Sequence, residues 1–327
     1  MMKIKITELR GLCKRALEKG GFPGSEAEVI ADMLLYAELT GKSSQGVNKI
    51  PAGQVLRDKN EVGMKIVKES PSHALIDGGR KNGIVVLQEV VRLAIAKGRQ
   101  GAIAIVGAHN SWTTTGVLGY YARAMAKEGL IGIVACCPPP SVAPHGSIDA
   151  ILGTNPLAVG IPTKAEPMVL DMSTARTPFL ALLLAKALGQ AIPAGIAIDK
   201  AGNETTDPAA AIEGAILPFG GHKGSGVALA IEVLAGGLVG AHMGSSAPGS
   251  WGSIAIAINP AAFIDAAQFK ENVSKLAAEI KNSRKAAGFS EILVPGEKSE
   301  RVRQSYLSQG YIEIDDKILS GIKKAAA

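Results

Sequence analysis

Apolar residues fall at helical spacing from the start of the chain. Leu9, Leu12, Cys13, Ala16 and Leu17 share one face, and Gly20-Gly21 ends the run. A second helix carries Val29, Met33, Leu34 and Ala37 on one face and stops near Gly41. Ser25, with Glu28 three residues on, has the form of a capping box at its start. The polar loop Lys42-Ser43-Ser44-Gln45-Gly46-Val47-Asn48-Lys49 follows, and a third helix over 85–97 ends at Gly98.

Beyond residue 100 the pattern changes period. Residues 102–106 read as a strand, 117–128 as a helix ended by Gly129, and 130–135 as a second strand. This βαβ unit predicts two parallel strands joined by a right-handed crossover. The polar segment 109–116 then lies outside the carboxyl end of a strand, where such units bind ligands. A strand at 168–170 leads through Asp171-Met172-Ser173-Thr174-Ala175 into a helix that stops at Gly189. Asp199 to Asn203 is a turn, and Asp207-Pro208 starts a short helix. Ile254, Ile256 and Ile258 alternate in a strand over 253–259, and a long helix spans 267–284. The loop 295–301 precedes a last amphipathic segment. The most apolar stretch, 224–241, contains Glu232 and several glycines and reads as a buried helix rather than a membrane span. The class is α/β with a helical N-terminal region.

Composition narrows the picture. The 327 residues are 47% hydrophobic and 20% charged, which suffices for one large core or two modest ones. The 39 glycines and 4% aromatics suit a tightly turned α/β protein better than a repeat array or a disordered chain. The net charge of +6 comes without a Lys/Arg cluster interleaved with aromatics; it fits small anionic substrates and gives no support to nucleic-acid binding. Cys13, Cys136 and Cys137 are odd in number and two are adjacent. That argues against a disulfide framework and for a reducing, cytoplasmic setting. Zinc spacings are missing, so no metal is expected, and the first residues lack the apolar core of a signal peptide.

The chemistry is signalled by 220–226, Gly-Gly-His-Lys-Gly-Ser-Gly, which leads into an apolar helix. Unobstructed N–H groups, a helix start and Lys223 together suit an anion. The alternative is a flexible turn with a solvated lysine, and the spacing is not that of a Walker A loop. No G-x-G-x-x-G follows a predicted strand, and there is no G-x-S-x-G or H-E-x-x-H.

Five motifs in order carry a resemblance. They are Gly153-Thr154-Asn155-Pro156 through Gly160-Ile161-Pro162, Leu170-Asp171-Met172-Ser173-Thr174-Ala175, Thr205-Thr206-Asp207-Pro208, the glycine loop, and Pro295-Gly296-Glu297. The chain resembles the type-2 malate/L-lactate dehydrogenase family over nearly its whole length. That family includes ureidoglycolate and sulfolactate dehydrogenases and Δ1-piperideine/Δ1-pyrroline-2-carboxylate reductases. The resemblance implies a non-Rossmann mixed sheet flanked by helices, NADH or NADPH as cofactor, and a homodimer with sites near the subunit interface. It implies cofactor contacts from Asp171, Met172, Ser173 and Thr174 on to Arg176, from His222, Lys223 and Gly224, and from Gly296, Glu297 and Lys298. The loop 114–118, with Thr115 and Gly116, lies alongside. It implies a helical substrate and dimer region at 1–110 with 290–327, and an NAD(P)-binding α/β domain at 111–289. For Asp171 the alternative is a helix-start acid stabilised by the dipole.

The substrate end departs from the family pattern. The family's Ser-His-Gly, with an arginine beyond it, stands here as Ser44-Gln45-Gly46, with Lys49 at the arginine position. Thr114 fills the slot of a second histidine, and Pro138-Pro139-Pro140 replaces more polar residues. Reducing a ketone leaves an alkoxide that needs a proton, which a histidine can supply near neutral pH and glutamine cannot. A protonated imine takes hydride without needing a donor in that step. The expectation is reduction of a cyclic ketimine or 2-imino acid, with Ser44, Gln45 and Thr114 at the reacting group and Lys49 on the carboxylate. The alternatives are a 2-oxo acid with another donor, such as His109 or the substrate-side His145, and a nucleotide-binding homologue with little turnover. Trp112 is read as core more readily than as a pocket cap, and the adjacent cysteines as inert.

Overall fold

The computed structural model describes residues 1–245 and 251–327. The first strand, β1 (Met2–Lys5), is followed by α1 (Ile6–Lys19) and α2 (Gly24–Leu39). The face of α1 formed by Leu9, Leu12, Cys13, Ala16 and Leu17 is buried, and Gly20 closes the helix. The capping box is not formed. α2 starts at Gly24 after Pro23, and no side chain caps it. Glu28 instead binds Arg10 at 2.8 Å and Lys14 at 3.4 Å on α1, two cations that outbid its own helix start.

A hairpin of β2 (Lys65–Glu69) and β3 (His73–Asp77) leads to α3 (Gly83–Gly98), capped by Asn82, whose side chain accepts from the Ile84 amide at 3.0 Å. Then come β4 (Ile103–Ser111), α4 (Leu118–Lys127), β5 (Ile131–Cys137), β6 (Leu157–Ile161) and β7 (Met168–Met172). α5 (Phe179–Leu188) ends at left-handed Gly189. The short pair β8 (Ala197–Ile198) and β9 (Ala215–Ile216) flanks α6 (Pro208–Glu213), which Asp207 caps. α7 (His222–Ile231) runs into a π-helical turn at Glu232–Gly237. The chain finishes with β10 (Trp251–Ile258), α8 (Ala266–Asn282), α9 (Glu297–Gln309), β11 (Tyr311–Ile314) and α10 (Asp316–Ala326).

Seven strands form one mixed sheet in the order β2-β3-β4-β10-β5-β6-β7. The two strands of the expected βαβ unit, β4 and β5, are parallel, with a third strand between them. They do not touch, because β10 lies between them, antiparallel to both. β10 can fill that central place because Ala255 and Ala257 are small and fully buried and the isoleucines alternate with them. The sheet takes β2, β3 and β4 from residues up to 111 and β5, β6, β7 and β10 from after it. β11 pairs with β1, tying the C-terminal segment to the N-terminal helices. The main core lies between the sheet and α1–α4, and a smaller cluster sits around α5 and α6.

Two further readings change. The apolar stretch 224–241 is not interior: α7 and its π-turn bury Ala228, Ile231 and Ala235, while Leu229 is 57% and Leu238 63% exposed. Among the described residues, no helix is long and apolar enough to cross a membrane. The loop at 295–301 is mostly the first turn of α9.

Candidate active site

The site begins at the end of α2. Glu38 is buried, and its Oε1 accepts from the Val47 amide at 2.9 Å. Burial raises its pKa, while bonds from Ser43 and Val47 hold it back. Only glycine fits at Gly46, where a Cβ would lie 2.2 Å from that carboxylate. The clamp folds 43–49 into two tight turns and drives Lys49 inward, leaving it 1% exposed. Burial pulls the Lys49 ammonium down to about 7. Its Nζ lies 3.3 Å from Thr114 Oγ1, to which it donates.

Thr114 belongs to the turn after β4. Its hydroxyl oxygen also accepts from the Gly116 amide at 3.0 Å. With both lone pairs engaged, its hydrogen is left to donate to a bound molecule. Asn82 steadies the turn through Thr113 Oγ1 at 2.9 Å. A third edge comes from β7. Asp171 pairs with Lys42, and Ser173 and Thr174 both donate to the Thr154 carbonyl, at 2.9 and 3.0 Å. Asp171 lies inside β7, not at a helix start, so the dipole reading for it falls.

These three edges surround a cavity of about 850 Å³ lined by Ser44, Gln45, Lys49, Thr114 and Asp171. Thr115, Gly116, Met172 and Ser173 line it too, with an apolar wall of Pro138, Pro139, Pro140, Phe179, Leu183 and Trp251. Among its described lining residues the titratable side chains are Lys42, Asp171 and Lys49, and the first two neutralise each other. A cleft of about 190 Å³ adjoins it at Lys42 and Asp171, between β7 and the start of α9. Gly119 and Gly296 keep this cleft open; added Cβ atoms would come within 2.8 Å of Asp171 Oδ2 and 2.9 Å of the Val169 carbonyl. Arg123 and Glu300 close its far side, 3.4 Å apart.

Other expected residues lie elsewhere. Gly220 and Gly221 both take positive φ (55° and 61°), turning the chain sharply so that α7 starts at His222. The loop joins the third edge through the Phe219 amide, which donates to the Thr174 carbonyl at 2.9 Å. His222 and Lys223 are exposed and edge an apolar recess on the outer face of the sheet, not the large cavity. His145 is also exposed, its ring 6.0 Å from that of His222, so the structure does not bring it to Lys49. Gly224 is buried under the Phe219 carbonyl. Burial would raise the Glu297 pKa, but Lys281 at 2.5 Å and Arg301 at 2.6 Å hold it low. Lys298 is exposed on the same turn of α9. His109 does not line the cavity. Trp112 is half-buried under the Arg80 guanidinium, 4.7 Å from its ring centre, and Trp251 is the indole at the cavity. Cys136 and Cys137 are buried, and burial raises both thiols well above the ordinary range, so they are inert.

Glu38 and Lys42 are site residues that the sequence alone does not single out. Glu38 carried a signal, since it is an acid among apolar residues at the end of a buried helix. Lys42 carried little, because its partner Asp171 is 129 residues away.

Residues 4–323 match the profile of the family described as Malate/L-lactate dehydrogenase. A malate/(S)-sulfolactate dehydrogenase of Methanothermus fervidus is 38% identical, over 99% of this chain and 97% of the relative. The solved sulfolactate dehydrogenase of Methanocaldococcus jannaschii superposes with a TM-score of 0.88 at 38% identity, covering 99% of this chain and 96% of that one. A Δ1-pyrroline-2-carboxylate/Δ1-piperideine-2-carboxylate reductase of Pseudomonas putida is 29% identical, over 99% and 97%. The chain belongs to the malate/L-lactate dehydrogenase family and is an NAD(P)-dependent oxidoreductase.

Proposed function

We propose that this enzyme reduces a C=N bond beside a carboxylate, in a substrate that carries one negative charge and an apolar body. The carrying observation is the charge inventory of the cavity: one buried cation without an ionic partner, Lys49, facing a wall of prolines, Phe179, Leu183 and Trp251. A second carboxylate or a sulfonate would find no free cation among the described lining residues, and burying it unpaired is costly. A cyclic ketimine carboxylate satisfies both the charge and the wall. Lys49 holds the carboxylate, and Ser44, Gln45 and Thr114 hydrogen-bond the reacting end. A 2-oxo monocarboxylate is the second reading, supported by the dehydrogenase names of the relatives at 38% identity.

For the cofactor, the cleft kept open by Gly119 and Gly296 and joined to the cavity at Asp171 supports an extended dinucleotide lying across the two. We assign its holding to Asp171, Met172, Ser173 and Thr174, to Thr115 and Gly116, and to Gly296, Glu297 and Lys298. We also assign His222, Lys223 and Gly224, at the start of α7 beside the Phe219 link, to a cofactor phosphate. When bound, the reduced nicotinamide supplies hydride. In this assignment Ser44, Gln45 and Lys49 come from the proposed substrate region, 1–110 with 290–327, while Thr114, the apolar wall and most cofactor groups come from 111–289, and Gly296, Glu297 and Lys298 are cofactor groups. The exposed Leu229, Val233, Leu234 and Leu238 support a homodimer through this face. Three buried free thiols support a reducing, cytoplasmic setting.

The test is NADH and NADPH oxidation with Δ1-piperideine-2-carboxylate, Δ1-pyrroline-2-carboxylate, pyruvate, oxaloacetate and sulfopyruvate. The reading expects the cyclic ketimines to be used best and the two dianions poorly. Efficient turnover of oxaloacetate or sulfopyruvate without the ketimines would refute it.

A further inference from the structure

We propose that Lys49 is the proton donor of the reaction, so that one ammonium both holds the substrate's carboxylate and protonates the nitrogen or oxygen of the reacting double bond. This rests on the reading of the cavity as a site for a 2-imino or 2-oxo acid. Gln45 lies at the cavity but cannot give up a proton, so the proton that the reacting atom needs has to come from elsewhere. Among the described residues lining the cavity, Lys42 and Asp171 are spent on each other, and Ser44, Gln45 and Thr114 do not ionise in the working range. Lys49 is the titratable group left, fully buried, with a hydroxyl as its hydrogen-bond partner.

The geometry suits both tasks. An ammonium has three N–H donors, and Thr114 takes one. A carboxylate oxygen and the reacting atom of a 2-oxo or 2-imino acid sit on adjacent carbons and face the same side, so one Nζ can reach both. The two remaining N–H groups match those two acceptors. Among the described residues, no charged neighbour presets the proton. Glu38 on α2 is engaged by the Val47 amide, and the charged residues of α10 (Asp316, Lys317, Lys323 and Lys324) are exposed. α10 faces the turn with Gly321 against Pro51. Burial pulls the amine down to about 7, where it exchanges a proton readily near neutral pH, and an arriving carboxylate favours the charged form.

The balance closes. For an imine, Lys49 puts its proton on nitrogen to give the iminium, and hydride then arrives at carbon, yielding the amino acid. For a 2-oxo acid, the C=O electron pair moves to oxygen as hydride arrives at carbon, and the N–H bond of Lys49 breaks as the O–H bond forms. In both cases two electrons come from the reduced nicotinamide and one proton from Lys49, whose neutral amine regains a proton from water.

Lys49→Arg separates the two tasks, because arginine keeps the charge for the carboxylate but does not release a proton. The proposal expects Lys49→Arg to bind oxamate or pyrrole-2-carboxylate within a few-fold of wild type while kcat falls about a hundred-fold or more. Lys49→Met should lose both. A second readout needs no turnover. In wild type labelled with 13C-lysine, the Cε resonance that is missing from Lys49→Met should titrate near neutral pH. Added analogue should shift it upward, with uptake of a proton per site above that pH. Wild-type-like kcat in Lys49→Arg overturns the proposal. So does a Lys49 resonance that stays charged from about pH 6 to pH 9 without analogue, a result that stands even if Lys49→Arg does not fold. If wild type turns over neither ketimines nor 2-oxo acids and binds neither analogue, the substrate reading fails first and carries the proposal with it.

Discussion

Lys49→Met is expected to stabilise the protein, by an amount that depends on pH. Lys49 is 1% exposed and faces a hydroxyl rather than a carboxylate. Burial moves its pKa from the ordinary 10.5 to about 7. Between those values the unfolded chain holds a proton that the folded chain lacks. Stability therefore rises with pH through that window, and the penalty is complete below it. Each unit is worth about 1.4 kcal/mol, so burying this amine costs the fold about 5 kcal/mol at pH 6 and about 1 kcal/mol at pH 10. Methionine is close to lysine in shape and carries no such penalty; it loses the Thr114 bond, worth about 1 kcal/mol. Urea unfolding of wild type and Lys49→Met across this range should show the variant's advantage shrinking by about 4 kcal/mol from pH 6 to pH 10. Two parallel stability profiles would refute the reasoning, since they would mean that the ammonium is solvated or paired in the folded state.

Other outcomes follow from the same contacts. Gly46→Ala pushes a methyl group into the Glu38 carboxylate and should lower stability by about 1–3 kcal/mol in urea unfolding, with a larger loss in kcat/KM as Lys49 is displaced. Gln45→His should not raise 2-oxo acid turnover appreciably if Lys49 already donates the proton; a tenfold or greater rise in steady-state kcat would place the donor position at residue 45 instead. Leu238→Asp, at a side chain 63% exposed on the apolar face of the π-turn, should shift the sedimenting species from dimer to monomer. Sedimentation of the variant as a dimer would move the interface elsewhere.

Local signals survived folding best. The apolar face of α1 and the glycines that end α1, α3 and α5 are local signals, and all three helices form close to where the sequence places them. What depended on distant partners was not legible. β10 enters the sheet between β4 and β5 from more than a hundred residues away, so the central segment alone could not show that those strands never pair. Glu28 looked like a cap because its competitors, Arg10 and Lys14, lie on another helix. The ordered motifs carried the family and brought Gln45, Lys49, Thr114 and Asp171 to one cavity. They did not show that Glu38 would bury Lys49 without an acid beside it, or that His145 would stay in solvent.

The most direct check is a crystal structure with reduced cofactor and pyrrole-2-carboxylate, a planar and unreactive mimic of a cyclic ketimine. The account predicts the carboxylate within hydrogen-bonding distance of Lys49 Nζ and Thr114 Oγ1, with the ring against Phe179 and the prolines. A carboxylate bound at Lys42, or in the recess beside His222 and Lys223, would contradict it.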